Sequence, residues 1–106
     1  MELYLGKQLH SLIQIEELPQ FTHFTIKGSG DLSMTSNKKG WGYMLEHQEV
    51  YLEKQPFATT SHWKTKIKNF YFTQEEIEQN FIPSFMFWEN PKLYIRDHKL
   101  NQIIND

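Results

Sequence analysis

The stretch His62–Phe72 constrains the fold of this chain more than any other part of it. Its odd-numbered positions from Trp63 to Tyr71 are mostly aromatic or β-branched, and its even-numbered positions from Lys64 to Phe72 are three lysines followed by two phenylalanines. Successive side chains of a β-strand point to opposite faces of a sheet, so this alternation predicts one long strand with two different faces. We therefore expect an antiparallel sheet that includes this strand at the centre of the fold.

Shorter segments predict the other strands of the sheet. Thr22–Lys27 and Trp41–Leu45 alternate and are rich in β-branched and aromatic residues, and Leu32 with Met34 marks a short strand between them. Residues 28–31, with two glycines and an aspartate, are typical of a turn. Three further strands are predicted at Glu2–Leu5, Ser84–Trp88 and Leu93–Arg96.

Helical spacing is found near both ends of the chain. Apolar residues at positions 5, 9, 12 and 13 predict a helix over Lys7–Glu17. Thr73 followed three positions later by Glu76 is a capping box, which predicts a short helix over Gln74–Phe81. Apolar residues within 100–104 predict one or two further helical turns.

The segment 43–54 has two interpretations. As a helix, it would carry an acidic stripe of Glu46, Glu49 and Glu53, but its apolar face would be poor. As a hairpin, it would turn at residues 46–49 and return along Val50–Lys54, which suits the residue types better. We favour the hairpin.

Length and composition limit the class of protein. The 106 residues suit one compact domain, residues 1–106, and the chain carries a net charge of −2. It has no cysteine, which excludes disulfides, thiol catalysis and thiolate metal sites and favours a cytoplasmic location. Neither a signal peptide nor a membrane helix is expected. The prediction is a single small α+β domain, mostly antiparallel sheet, with short helices near both ends.

No motif in the chain indicates catalysis, a metal or a cofactor. The five histidines are at least 13 positions apart, so none forms a short-range metal-binding pair. Nucleophile elbows and glycine-rich phosphate loops are also missing from the sequence. We therefore expect a protein without enzymatic activity, metal or cofactor. The enzyme alternative is a small nuclease-like protein that uses His62 or His98 with lysines.

The best-defined charged feature is the lysine row at positions 64, 66 and 68. The chain carries a net charge of +4 between Lys54 and Thr73, which is consistent with a solvated sheet face or with lysines that protect a sheet edge. The same row could grip an acidic protein surface. With Trp63 as a stacking platform, it could instead bind single-stranded nucleic acid or a small anion, which the overall negative charge and the single arginine disfavour.

These features favour a binding protein that occludes a protein partner. Small, motif-poor, aromatic-rich domains are typical of immunity proteins and inhibitors that neutralise toxin-like enzymes, and occlusion needs only a rigid scaffold, aromatic anchors and complementary charge. Carboxylates beside tyrosines would steer a basic partner, and the lysine row would meet an acidic patch. The predicted partner-binding residues are Tyr43, Glu46, Glu49, Tyr51, Glu53, Trp63, Lys64, Lys66 and Lys68.

Overall fold

A five-stranded antiparallel sheet forms the body of the protein, in the strand order β4-β3-β2-β1-β5. The computed structural model describes residues 1–54 and 61–97. The α+β class and the antiparallel sheet predicted from the sequence are confirmed. The strands are β1 (Gln8–Ser11), β2 (His23–Asp31), β3 (Trp41–Lys54), β4 (Ser61–Thr73) and β5 (Phe81–Pro83). The helices are a 3₁₀ turn (Leu32–Met34), α1 (Gln74–Asn80) and α2 (Ser84–Glu89), and residues 91–97 are also helical.

One face of the sheet carries the main core. Phe24 lies at its centre, in edge-to-face contact with the rings of Phe70 and Phe81 at 5.6 and 5.5 Å. Helix α1 covers this face and inserts the fully buried Ile77. The other buried members of the core are Leu9, Ile15, Leu18, Ile26 and Leu45. Burial of these apolar side chains supplies the main driving force for folding.

The opposite face of the sheet is covered only in part. Helix α2 packs over β1, and Leu32 of the 3₁₀ turn folds back over Gly42. A shallow cavity of about 220 Å³ lies beside Leu32, above glycines of β2 and β3.

Two predictions that depended on local sequence are confirmed. Strand β4 includes the whole predicted stretch His62–Phe72. Thr73 accepts a hydrogen bond from the Glu76 amide at its side chain, and Glu76 accepts one from the Thr73 amide, so the capping box opens α1 as predicted.

The prediction for residues 43–54 is wrong in both of its forms. Residues 41–54 form one continuous strand, and the positions assigned to a turn lie opposite β4 residues: Glu46 faces Asn69 and Glu49 faces Lys66. Pairing along the whole of β4 holds this polar stretch extended.

The predicted helix over Lys7–Glu17 is replaced by β1 and a tight turn. Leu9 is fully buried between β2 and β5, whereas Leu5 is exposed, so the helical spacing did not mark a common face. Gly6 has a φ of 88°, which interrupts any helix at its start. The predicted strand at Glu2–Leu5 is also absent, since these residues are irregular or in a turn.

The turn predicted at residues 28–31 is instead the second half of β2. A register shift between Ile26 and Gly28 lets the strand continue to Asp31 opposite β3. The strand predicted at Leu32 and Met34 is the 3₁₀ turn, which begins where the Asp31 side chain accepts a hydrogen bond from the Ser33 amide at 2.9 Å.

Both strands predicted near the C-terminus are helical. Ser84 and Phe87, three positions apart, are buried, whereas Phe85 and Trp88 are exposed. Leu93–Arg96 lies in the helical segment 91–97. A short apolar run does not distinguish a strand from a helix by periodicity. The helical turns predicted at 100–104 lie outside the described residues.

Candidate functional site

The two longest strands extend beyond the rest of the sheet. Strand β3 pairs with β2 only as far as Glu46, but its pairing with β4 continues to Lys54 and Ser61. Residues 47–54 and 61–68 therefore form a two-stranded ribbon, which we call the arm. At 3.4 Å per residue, eight residues per strand give the arm a length of about 25 Å.

One face of the arm carries no charged residue from Gln48 to Leu52 of β3 or from Trp63 to Ile67 of β4, and we call this stretch the uncharged face. Leu52 lies opposite Trp63, and Val50 and Gln48 lie opposite Thr65 and Ile67. Four of these side chains are apolar and largely exposed: Val50 61%, Leu52 46%, Trp63 73% and Ile67 54%. A row of exposed apolar side chains with no charge among them is unusual on a protein surface and is typical of an interaction site.

The opposite face of the arm carries three lysines and two glutamates, and two of the lysines form ion pairs within the chain. The Lys64 ammonium lies 2.5 Å from the Glu53 carboxylate, and Lys66 lies directly opposite Glu49. At the base of the arm, Lys68 forms ion pairs with Glu16 and Glu17. The turn at 15–18, in which Glu16 has a φ of 51°, brings these two carboxylates to β4.

These ion pairs shift the pKa values of Lys64, Lys68 and Glu17. Hydrogen bonding to Glu53 raises the pKa of Lys64, and hydrogen bonding to Glu17 and Glu16 raises the pKa of Lys68. The hydrogen bond from Lys68 lowers the pKa of Glu17. Two of the three lysines of the predicted row are therefore already neutralised by carboxylates of the chain itself.

The structure divides the predicted partner-binding residues between the two faces. Trp63 and Glu46 lie on the face opposite the lysines, and Glu46 is at the base of the arm, where it accepts a hydrogen bond from Gln48. Tyr43 lies further down β3 and packs partly against the core. The remaining six share the charged face: Glu49, Tyr51, Glu53, Lys64, Lys66 and Lys68.

A histidine cluster that the sequence did not reveal lies under α2, on the face of the sheet opposite the main core. His10 is 3% exposed, and its Nδ1 lies 2.7 Å from the hydroxyl of Ser84. Its ring stacks on Phe87 at 4.5 Å and contacts Trp88 and His23 edge-on at 5.2 and 5.4 Å. The cross-strand pairing of His10 with His23 creates the cluster, and no local sequence pattern indicates that pairing.

Burial determines what this cluster can do chemically. Desolvation, with a smaller effect of His23, lowers the pKa of His10 to about 4, and desolvation also lowers the pKa of His23. A general base works best with a pKa near the working pH, and Ser84 is itself buried. The hydrogen bond between His10 and Ser84 thus has the properties of a structural contact that fixes α2 on β1.

Of the two histidines of the enzyme alternative, the structure describes His62, which is not in this cluster. His62 is exposed on the arm, opposite Glu53, and His98 lies outside the described residues. Within residues 1–54 and 61–97, no group of three or more candidate metal ligands comes together, and no helix has the length and apolar character needed to cross a membrane. The chain has no significant match among protein-family models, curated proteins or solved structures.

Proposed function

We propose that this protein binds and occludes a protein partner through the uncharged face of the arm, as a cytoplasmic immunity or inhibitor protein that neutralises a toxin-like enzyme. The observation that supports the proposal is the row formed by Val50, Leu52, Trp63 and Ile67, exposed on an element that projects from the body. Aromatic and aliphatic anchors without intervening charge are typical of the centre of an interface.

The geometry of the arm also bears on the nucleic-acid alternative. Binding of a single strand needs stacking rings and cations on one surface. Here Trp63 lies on one face of the arm, whereas Tyr51 lies on the other face with Lys64, Lys66 and Lys68. Two of these three lysines already form ion pairs with carboxylates of the chain, which balance their charge. These features favour a protein partner over a nucleic acid or a small anion.

The projection of the arm suggests how occlusion could work. A narrow ribbon about 25 Å long fits a cleft better than it fits a flat surface. Enzymes bind their substrates in clefts, and a wedge with Trp63 near its tip would block such a cleft without any catalytic group of its own.

The test combines affinity capture with an activity assay. The wild-type protein, immobilised, should retain a partner enzyme from an extract of the host, and the purified partner should lose its activity at a stoichiometry near one to one. The variant Leu52→Ser/Trp63→Ser removes two anchors and should weaken inhibition at least 100-fold.

The matched control is Met34→Ser, which removes an apolar side chain of 85% exposure away from the arm and should inhibit like the wild type. Equal inhibition by Leu52→Ser/Trp63→Ser and the wild type would show that the arm is not the binding surface. A captured partner whose activity is unchanged at saturation would contradict the inhibitor function.

A further inference from the structure

The arm has two strand edges, and the chain protects them differently. The outer edge of β4 carries Lys64, Lys66 and Lys68, and lysines on an edge strand discourage pairing with other strands. The outer edge of β3 carries no lysine between His47 and Glu53, and no described residue continues the backbone ladder of β2 along it. At the start of this edge, the His47 ring donates a hydrogen bond to the carbonyl of His23 in β2 at 2.9 Å.

The edge of β3 at residues 47–53 begins where the ladder between β2 and β3 ends. The last pair of that ladder is Thr25 with Glu46, and the chain before β2 turns away at Phe21, which has a φ of 66°. A strand placed beside residues 47–53 would lie in line with β2. It would pair with the part of β3 that β2 does not reach. It would also complete a three-stranded sheet, whereas two strands alone are only marginally stable in water.

The side chains along this edge specify what kind of strand fits. On the charged face, Glu49 and Glu53 flank Tyr51; on the uncharged face, Val50 and Leu52 alternate with them. An added strand places its own side chains beside these, alternately on one face and the other. Basic residues of the added strand would complement Glu49 and Glu53 on the charged face. Its apolar residues would complement Val50 and Leu52 on the uncharged face.

We propose that the free edge of β3 at residues 47–53 binds an extended segment of the partner in which basic and apolar residues alternate. This inference rests on the proposed function and specifies the partner's contact segment. The added strand would gain main-chain hydrogen bonds to β3, while its apolar side chains would extend the uncharged face next to Trp63. Lys64 already pairs with Glu53, and Lys66 lies opposite Glu49. The added strand would lie directly beside these carboxylates but two strands away from the lysines of β4, so the nearer carboxylates would select a basic segment over an acidic one.

Synthetic peptides test this directly. The probe is a capped nine-residue peptide in which lysine alternates with valine, and the two controls replace lysine by glutamate or collect all the lysines at one end. We expect the alternating lysine peptide to bind at least tenfold tighter than either control. Hydrogen exchange should slow at alternate amides of residues 47–53, because alternate backbone groups of an edge strand point outward.

Two variants test the role of charge. Glu49→Gln/Glu53→Gln should lose at least tenfold in affinity for the lysine peptide, and Lys66→Gln on β4 should not. If the double variant is unfolded by circular dichroism, the single variant Glu49→Gln serves instead, with an expected loss of about threefold. Equal binding of all three peptides, or protection at β4 amides instead of β3 amides, would overturn the inference.

The outcomes separate this inference from the proposed function. If Leu52→Ser/Trp63→Ser abolishes inhibition of the partner but Glu49→Gln/Glu53→Gln inhibits like the wild type, the arm binds by its face and strand addition is wrong. If the wild type sediments as a dimer and Glu49→Gln/Glu53→Gln sediments as a monomer, a second copy of the chain occupies the edge. That outcome also contradicts the inference.

Discussion

Gly42 lies directly beneath Leu32. A Cβ atom placed on Gly42 would be 2.3 Å from Cδ1 of Leu32 and 2.6 Å from the carbonyl oxygen of Phe72, both far inside van der Waals contact. Leu32 is buried by this approach, although it belongs to a 3₁₀ turn outside the sheet. The missing side chain of Gly42 thus allows the turn to close over the uncovered face of β3.

The variant Gly42→Ala should therefore be strongly destabilised. Leu32 can move, but the Phe72 carbonyl belongs to the paired strand β4 and cannot, so we expect a loss of about 2–3 kcal/mol in the free energy of unfolding. Urea denaturation measures it. Gly30 lies opposite Gly42 with open space at its Cβ position, so Gly30→Ala should change stability by less than about 1 kcal/mol. Similar losses in the two variants would contradict this account.

Local sequence determined some elements and not others. The capping box at Thr73 and the alternation of β4 were predictable because each depends on residues that are close in the chain. The extended state of residues 46–49 was not, since these polar residues resemble a turn until they are paired with β4. Leu9 shows the same limit, because its burial depends on β2 and β5, which are distant in sequence.

The sequence predicted the charged face of the arm better than its uncharged face. Glu49, Tyr51 and Glu53 were named together with the lysines, but of the four exposed apolar residues only Trp63 was named. The hairpin interpretation could not give the register that places Trp63 opposite Leu52. A change of one residue in register moves every side chain of a strand to the other face. The separation of Trp63 from the lysines followed from alternation alone, but the pairing of those lysines with Glu53, Glu16 and Glu17 required the tertiary fold.

The capping box should contribute measurably to stability. Thr73→Ala removes the side chain that accepts from the Glu76 amide and should cost about 1 kcal/mol, whereas Thr73→Ser keeps an oxygen at that place and should cost much less. Thermal and urea denaturation of both variants test this. Equal losses for alanine and serine would show that the methyl group of Thr73, and not its hydroxyl, is what matters.

Glu76 in the same capping box should contribute to the free energy of unfolding at neutral pH, and this contribution should be lost in acid. Burial by itself would raise the pKa of Glu76, but the hydrogen bond from the Thr73 amide and the contact with Lys38 outweigh it and lower the pKa below its ordinary value of 4.5. A lowered carboxyl pKa contributes stability above pH 4.5 that disappears as the pH falls through the folded-state pKa. The stability difference between the wild type and Glu76→Gln should therefore shrink below pH 4.5. A constant difference across that range would contradict the assignment.

His10 should make the fold less stable at mildly acidic pH. Its pKa falls from 6.5 to about 4 on folding, so between these values the unfolded chain binds a proton that the folded chain excludes. Stability should be constant in this respect above pH 6.5 and decline as the pH falls towards 4, by up to about 3 kcal/mol. Urea denaturation at several pH values measures the slope of the free energy of unfolding against pH. His10→Phe should reduce this slope and leave the smaller part that comes from the lowered pKa of His23, whereas a substitution at the exposed His62 should leave it unchanged. An unchanged slope in His10→Phe would place its origin elsewhere.

The backbone amides of β3 should show two levels of protection against hydrogen exchange along the strand. Residues 42–46 lie between β2 and β4, whereas residues 48–53 pair with β4 alone and expose the apolar side chains of the arm. A two-stranded ribbon opens at little cost, so β4-bonded amides of residues 48–53 should exchange at least 100-fold faster than those near Leu45, with little dependence on denaturant. Trp63→Ser removes the cross-strand neighbour of Leu52 and should accelerate exchange in the arm without affecting Leu45. Uniform protection from residue 42 to residue 53 would mean that the arm unfolds only with the whole sheet, and the free chain would then present its binding surface preformed and rigid.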